Sequence, residues 1–197
     1  SWEELFQAHG TSLSLDEWAD CVGGGPDDFD PYAILERQTG QPVDRGAIRQ
    51  KRRARFVELV DEQPLMPGVV QWLDDAERAG LKLAVASSSD SAWVRGHLDR
   101  RRLADRFLAV HTRDDVERVK PDPALYRLSI EALGIEPHEA IAVEDSPNGM
   151  LAAKAAGLHC IVVPNPITQK LDFSEADFRF NALDELTLAE LVDRISR

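Results

Sequence analysis

The chain has 197 residues, 43% of them hydrophobic, which suffices to bury a full core and to carry a smaller second unit beside it. Its formal net charge of −12 argues against broad binding to nucleic acid or anionic membranes, since a phosphate backbone is gripped by surplus Lys and Arg. No apolar run approaches the roughly 18 residues of a membrane span, and Cys21 and Cys160 match no zinc or redox spacing, so a reducing, cytoplasmic setting without a structural disulfide is expected.

Residues 2–62 read as helical, with no strand among them. Ser14-Leu15-Asp16-Glu17 has the pattern of a capping box, and Asp30-Pro31 that of an N-cap followed by a first-turn proline. Asp44 is placed to cap a long helix through Val60 that carries Arg45, Arg49, Lys51, Arg52, Arg53 and Arg55. Pro64 and Pro67-Gly68 then interrupt the chain. Beyond them the rhythm becomes helix, short apolar run, helix, apolar run, the pattern of a parallel sheet with crossover helices. Strands are expected at 81–86, 107–111, 140–143 and 160–163, and helices at 69–79, 91–100, 124–133 and 149–156. Gly80, Gly134 and Gly157 stand where such helices end. A strand near 178–180 and a helix over about 184–195 complete an α/β domain over 63–197, after a helical domain over 1–62.

Two polar clusters fall where these strands end, and a third lies in a loop. The run 81–86 leads into Ser87-Ser88-Ser89-Asp90, which sets hydroxyls and free N–H groups at a strand's carboxyl end, where open α/β sheets bind ligands. The same residues suit a helix cap through Ser89 or Asp90, and a helix N-terminus is itself an anion site. Lys120 precedes Pro121, which favours an extended backbone and a loop; a solvated lysine ahead of a helix capped by Asp122-Pro123 is the plainer alternative. Glu144-Asp145 follows Ile141-Ala142-Val143, and carboxylates at the end of a buried strand require a cation or donors. Mg²⁺ takes one or two carboxylates together with waters and substrate oxygens, provided the strand ends in a loop that frees both side chains. Alternatively, the two acids cap the helix that starts at Pro147-Asn148-Gly149. His9, His97, His111, His138 and His159 show no i, i+4 zinc pairing, and Trp2, Trp18, Trp72 and Trp93 fall in phase with apolar helix positions, where packing accounts for them.

Taken in this order, VASSS, VKPDP and VEDSPNG resemble motifs two, three and four of the haloacid dehalogenase superfamily, in particular its β-phosphoglucomutase-like phosphatase branch. The resemblance implies a Rossmann-like parallel-sheet core with an N-terminal helical cap over 1–62. It implies a Mg²⁺-dependent phosphatase that hydrolyses a small phosphorylated metabolite, such as a sugar phosphate, through an aspartyl-phosphate. On this pattern Ser87 and Lys120 serve the phosphoryl group, Ser88 adds its N–H, and Glu144 and Asp145 hold Mg²⁺. The basic stretch Arg49-Gln50-Lys51-Arg52-Arg53 reads either as a solvated helix face or as a cap that offers cations, Arg49 and Lys51 among them, to a phosphorylated substrate. A monomer or weak dimer, without nucleic-acid or membrane partners, is expected. The family's nucleophile motif, Asp-x-Asp-Gly, occurs nowhere in the chain, since Asp28-Phe29-Asp30 is followed by Pro31. The resemblance therefore implies roughly 20 residues ahead of Ser1 that bear it, and a chain that is inactive alone. Mutases of this branch carry a cap-loop arginine about three residues after a glycine, to grip a second phosphate. No arginine follows Gly23-Gly24-Gly25-Pro26, so hydrolysis is expected over the mutase reaction. A binding protein that kept the fold without the chemistry is the alternative from outside the enzymes.

Overall fold

The computed structural model describes residues 1–14 and 30–195. The chain divides into two compact units, Ser1–Leu65 and Met66–Arg197. Asp16 and Glu17 of the expected capping box lie outside the described residues, as do Trp18, Cys21, the glycines and proline at 23–26, and Asp28-Phe29.

The described part of the first unit is helical: α1 (Trp2–Ala8), α2 (Pro31–Thr39) and α3 (Arg45–Glu62). Asp30 caps α2 as its sequence suggests, accepting from the N–H groups of Tyr32 and Ala33 ahead of Pro31 at the first helical position. Asp44 does the same for α3 through Ala47 N–H. Phe6 and Leu35 are fully buried, and Trp2 meets Phe6 and Tyr32 edge-on. The basic run on α3 divides by partner. Arg45 pairs with Asp30 and Glu36, Arg55 pairs with Glu4 and Glu58, and the Arg52 guanidinium lies 4.4 Å over the Trp2 ring.

The second unit is α/β. It contains α4 (Val69–Arg78), β1 (Ala84–Ala86), α5 (Ser91–Arg100), β2 (Ala109–His111), α6 (Ala124–Leu133), β3 (Ile141–Glu144), α7 (Pro147–Ala155), β4 (His159–Val162), β5 (Phe178–Arg179) and α8 (Leu188–Ile195). Among the described residues the strands form two groups, β1–β2 and β3–β4–β5, and every pairing is parallel. One face packs Tyr126 and Ile130 of α6 and Met150 and Ala153 of α7 against Ala142, Cys160 and Val162. The other packs Trp72 and Ala76 of α4 and Leu188 and Leu191 of α8 against Ile161. Helices on both faces of a parallel sheet make the α/β, Rossmann-like arrangement expected from the sequence. Alternation along β3 matches it: Ala142 and Glu144 are buried on the α6–α7 side, whereas Val143 is exposed.

Several expected boundaries need adjustment, among them the fourth strand, which runs over His159–Val162 and not 160–163. The first strand is shorter than 81–86, because Leu81 is exposed and the ladder begins at Ala84, although Leu83 C=O still accepts from Leu108 N–H at 2.8 Å. The second begins only at Ala109. β3 runs one residue later than 140–143, which brings Glu144 into the ladder opposite Val162. The final helix is split into a 3₁₀ turn (Leu183–Glu185) and α8, because Thr187 and Glu190 cap each other and start a new helix.

Trp72 anchors α4 by donating its indole N–H to Leu186 C=O at 2.9 Å inside the second core layer. At the start of the same helix Gly68 has φ +82°, and a Cβ there would lie 2.5 Å from Asp184 N and 2.6 Å from the Leu183 carbonyl carbon. Both contacts are to backbone, which cannot swing aside. Gly68→Ala is therefore expected to destabilise the second unit by about 2–4 kcal/mol, from left-handed strain plus overpacking. Calorimetry should show a lowered Tm; an unchanged Tm would mean that the 183–184 segment moves freely.

Candidate active site

The polar clusters at the carboxyl ends of β1 and β3 meet at one amine. Asp122 Oδ1 accepts from Ala124 N–H at the start of α6, a local turn that ends the Lys120 loop. Lys120 does not point to solvent: its side chain is 11% exposed and that of its partner Glu144 is 7% exposed. Its Nζ donates to Ala86 C=O at 2.9 Å, at the last residue of β1, and to Glu144 Oε1 at the last residue of β3. Tyr126, one turn into α6, donates its hydroxyl to the same Glu144 oxygen, and the Lys120 amine sits 4.7 Å from the Tyr126 ring centroid. The solvated-lysine alternative is thus excluded. A buried ion pair of this kind repays desolvation only when further hydrogen bonds complete it, and here Tyr126 and Ala86 do so.

Burial, then the negative charge of Glu144 and the hydrogen bond to it, push the Tyr126 phenol far above its usual pKa. Tyr126 is therefore a fixed donor throughout the physiological range. The sequence reading missed it because a tyrosine among Ala124, Leu125, Leu128 and Ile130 reads as core.

Glu144 and Asp145 are adjacent yet differently placed. The expectation of a loop that frees both side chains does not hold: Glu144 belongs to the strand and its carboxylate is engaged, whereas Asp145 lies one residue past the ladder and is exposed. Neither acid caps α7. That role falls to Ser146, whose hydroxyl accepts from Gly149 N–H at 3.2 Å, with Pro147 at the first helical position. Gly149 has a second purpose, because a Cβ at this position would land inside the Glu144 carboxylate. The Asp145 Oδ2 accepts from the Asn165 side-chain amide at 3.0 Å.

Ser87 directly follows Ala86, whose carbonyl holds the Lys120 amine. Its N–H donates to His111 C=O at 2.9 Å, and its hydroxyl accepts from Ser89 N–H at 3.1 Å. Asp90, rather than Ser89, caps α5 through Trp93 N–H, and Asp114 takes Ser91 N–H. Ser88 is exposed at the same turn. Arg49 and Lys51 belong to the helical unit, exposed on α3 and without an ion pair among the described residues.

Among the described residues no three His, Cys, Asp or Glu side chains gather as a ready metal cage. The donor set at the end of β3 fits a hard cation of another kind, since Mg²⁺ is content with one or two carboxylates and takes the rest of its shell from water and phosphate oxygens. Asp145 offers such a carboxylate, whereas that of Glu144 is taken by Lys120 and Tyr126. No helix among the described residues is long and apolar enough to cross a membrane.

Comparison with known proteins places these features in a family. The model of haloacid dehalogenase-like hydrolases matches residues 2–163. The Bacillus subtilis protein YhcW is 42% identical over 194 residues, covering 98% of this chain and 88% of that protein. Hexitol phosphatase B of Escherichia coli is 35% identical over 158 residues, covering 79% of this chain and 71% of that enzyme. A mutant of CbbY from Rhodobacter sphaeroides, solved in complex with xylulose-(1,5)bisphosphate, superposes with a TM-score of 0.77 at 33% identity, over 96% of this chain and 89% of that one.

The closeness of Gly149 to Glu144 gives a direct test of this geometry. Gly149→Ala should cost about 1–3 kcal/mol in urea denaturation, because the added methyl displaces a carboxylate that Lys120 and Tyr126 hold. Combined with Glu144→Ala, the two changes should be coupled by more than about 0.5 kcal/mol. Strict additivity would show that the carboxylate does not occupy the space above Gly149.

Proposed function

The chain belongs to the haloacid dehalogenase-like hydrolase family, and from that premise we propose that it carries the phosphoryl-binding and metal-binding side of a phosphatase acting on a small phosphorylated metabolite. The observation that carries the reading is the Lys120 amine, held by Glu144 and by the C=O of Ala86, the residue before Ser87. A cation fixed there by the fold can meet phosphoryl charge without reorganising at the moment of reaction. The Ser87 hydroxyl and the Ser88 N–H are assigned to the phosphoryl oxygens. Sugar phosphates are the favoured substrate class, supported by relatives that include hexitol phosphatase B and a CbbY solved with a pentulose bisphosphate.

In this reading an aspartate carboxylate attacks phosphorus, the bond from phosphorus to the substrate oxygen breaks, and the leaving oxygen takes a proton from a second carboxylic acid. Water then attacks the aspartyl-phosphate and releases inorganic phosphate. The attacking aspartate stands in an Asp-x-Asp-Gly motif, which these 197 residues do not contain. Lys120 balances charge on the transferring group and Ser87 orients it. Asp145 would hold Mg²⁺ directly, while Glu144 is held by Lys120; when bound, the ion supplies Lewis-acid charge to a phosphoryl oxygen. Arg49 and Lys51, uncommitted among the described residues, are assigned to the remaining charge of the substrate.

Burial of the Cys160 side chain, with the charges of Glu144 and Asp177 after it, pushes its thiol up to about 12. The buried thiol is thereby kept out of the chemistry.

Assayed in a form that carries an Asp-x-Asp-Gly motif, the protein should hydrolyse an aryl phosphate with Mg²⁺ and stop with EDTA, whereas residues 1–197, which lack that motif, should not turn over. Asp145→Asn should cut kcat by about a hundredfold or more. Wild-type rates in that variant would remove Asp145 from the site. Replacing Arg49 or Lys51 should raise KM for a sugar phosphate and leave acetyl phosphate nearly unaffected; equal effects on both substrates would return these two residues to the solvated surface.

A further inference from the structure

Asp145 is held by a donor far from it in sequence. Asn165 lies three residues beyond β4, between Pro164 and Pro166, and its polar atoms are fully assigned. Its Oδ1 accepts from the N–H groups of Ile167 at 2.8 Å and Thr168 at 3.2 Å, and its own N–H donates to Thr168 Oγ1 at 3.1 Å. Thr168 is fully buried, so the turn is anchored in the core. An oxygen that receives two backbone N–H groups cannot be exchanged with the amide nitrogen without setting donor against donor. The nitrogen is therefore the atom aimed at Asp145 Oδ2, 3.0 Å away, while Asp145 Oδ1 has no hydrogen-bond partner among the described residues.

The contrast with the neighbouring acid is chemical. Lys120 neutralises Glu144, whereas Asn165 is uncharged and fixes the Asp145 carboxylate without cancelling its charge. A carboxylate pinned at one oxygen and open at the other, with its negative charge intact, is prepared for a cation.

We propose that Asn165 is a positioning residue for Asp145, pinning Oδ2 so that Oδ1 is presented to a divalent metal. The inference rests on the assignment of Asp145 as a metal ligand under the proposed function. Groups behind metal ligands typically account for about 10–100-fold in affinity.

The test uses Mn²⁺ alone as the probe and reads paramagnetic broadening of backbone amide resonances near Asp145 in the isotopically labelled 197-residue chain, beside thermal melting without metal. Mn²⁺ should broaden residues around 144–149 in the wild type and not in Asp145→Asn. Asn165→Ala and Asn165→Ser should need about tenfold more Mn²⁺. Asn165→Ser keeps a neutral oxygen that can accept within the turn and is too short to reach Asp145, and it decides the matter if Asn165→Ala unfolds. An unchanged or lower Mn²⁺ midpoint in the folded variant, beside lost broadening in Asp145→Asn, overturns the role of Asn165 alone. Unchanged broadening in Asp145→Asn, or none in the wild type, removes Asp145 as a ligand and overturns both readings.

Discussion

The buried pairing of Lys120 with Glu144 is the constraint around which the rest of the site is organised. Neither charge could lie so far from water alone, and removing either would leave the other uncompensated, at a cost of about 3–5 kcal/mol. The pair also closes structure: its amine reaches Ala86 at the end of β1, its carboxylate ends β3, Tyr126 joins from α6, and Gly149 of α7 leaves the space that the carboxylate fills. A cation is thus fixed at the end of β1 by folding itself. Its orientation is supplied by contacts within the second unit.

The sequence exposed much of this arrangement, for identifiable physical reasons. Short apolar runs separated by helical stretches, with glycines at helix ends, made the parallel sheet readable, and polar residues stood out where the runs stopped. The distinction between Glu144 and Asp145 was not readable, because it depends on whether the strand ends at 143 or 144, and one residue decides which acid is buried. Tyr126 was hidden by its apolar neighbours; its hydroxyl acquires a purpose only when the fold brings it to an acid 18 residues away. Asn165 drew no notice in the sequence, because nothing local to it points its amide at an acid 20 residues away. Local pattern reports where the chain bends, and tertiary structure reports what the bend faces.

The basic run of α3 teaches the same lesson in the other direction. Read as composition it is a single patch, yet Arg45 and Arg55 are committed to acids of the same unit and Arg52 to the Trp2 ring. Exposed pairs of this kind contribute little stability, but they determine where a side chain spends its time. What remains for a ligand is narrower than the count of positive charges suggests.

The alternation of β3 also bears on how the motif may be written. Because successive side chains leave a strand on opposite faces, writing the two acids in the reverse order would send aspartate towards the buried amine and glutamate into water. The shorter side chain would then fall short of Lys120, and the longer, more pliable one would stand where a pinned carboxylate is wanted. Glu-Asp and Asp-Glu are identical in charge and in atom count, yet the pleat of β3 acts as a reading frame in which only the first order makes sense.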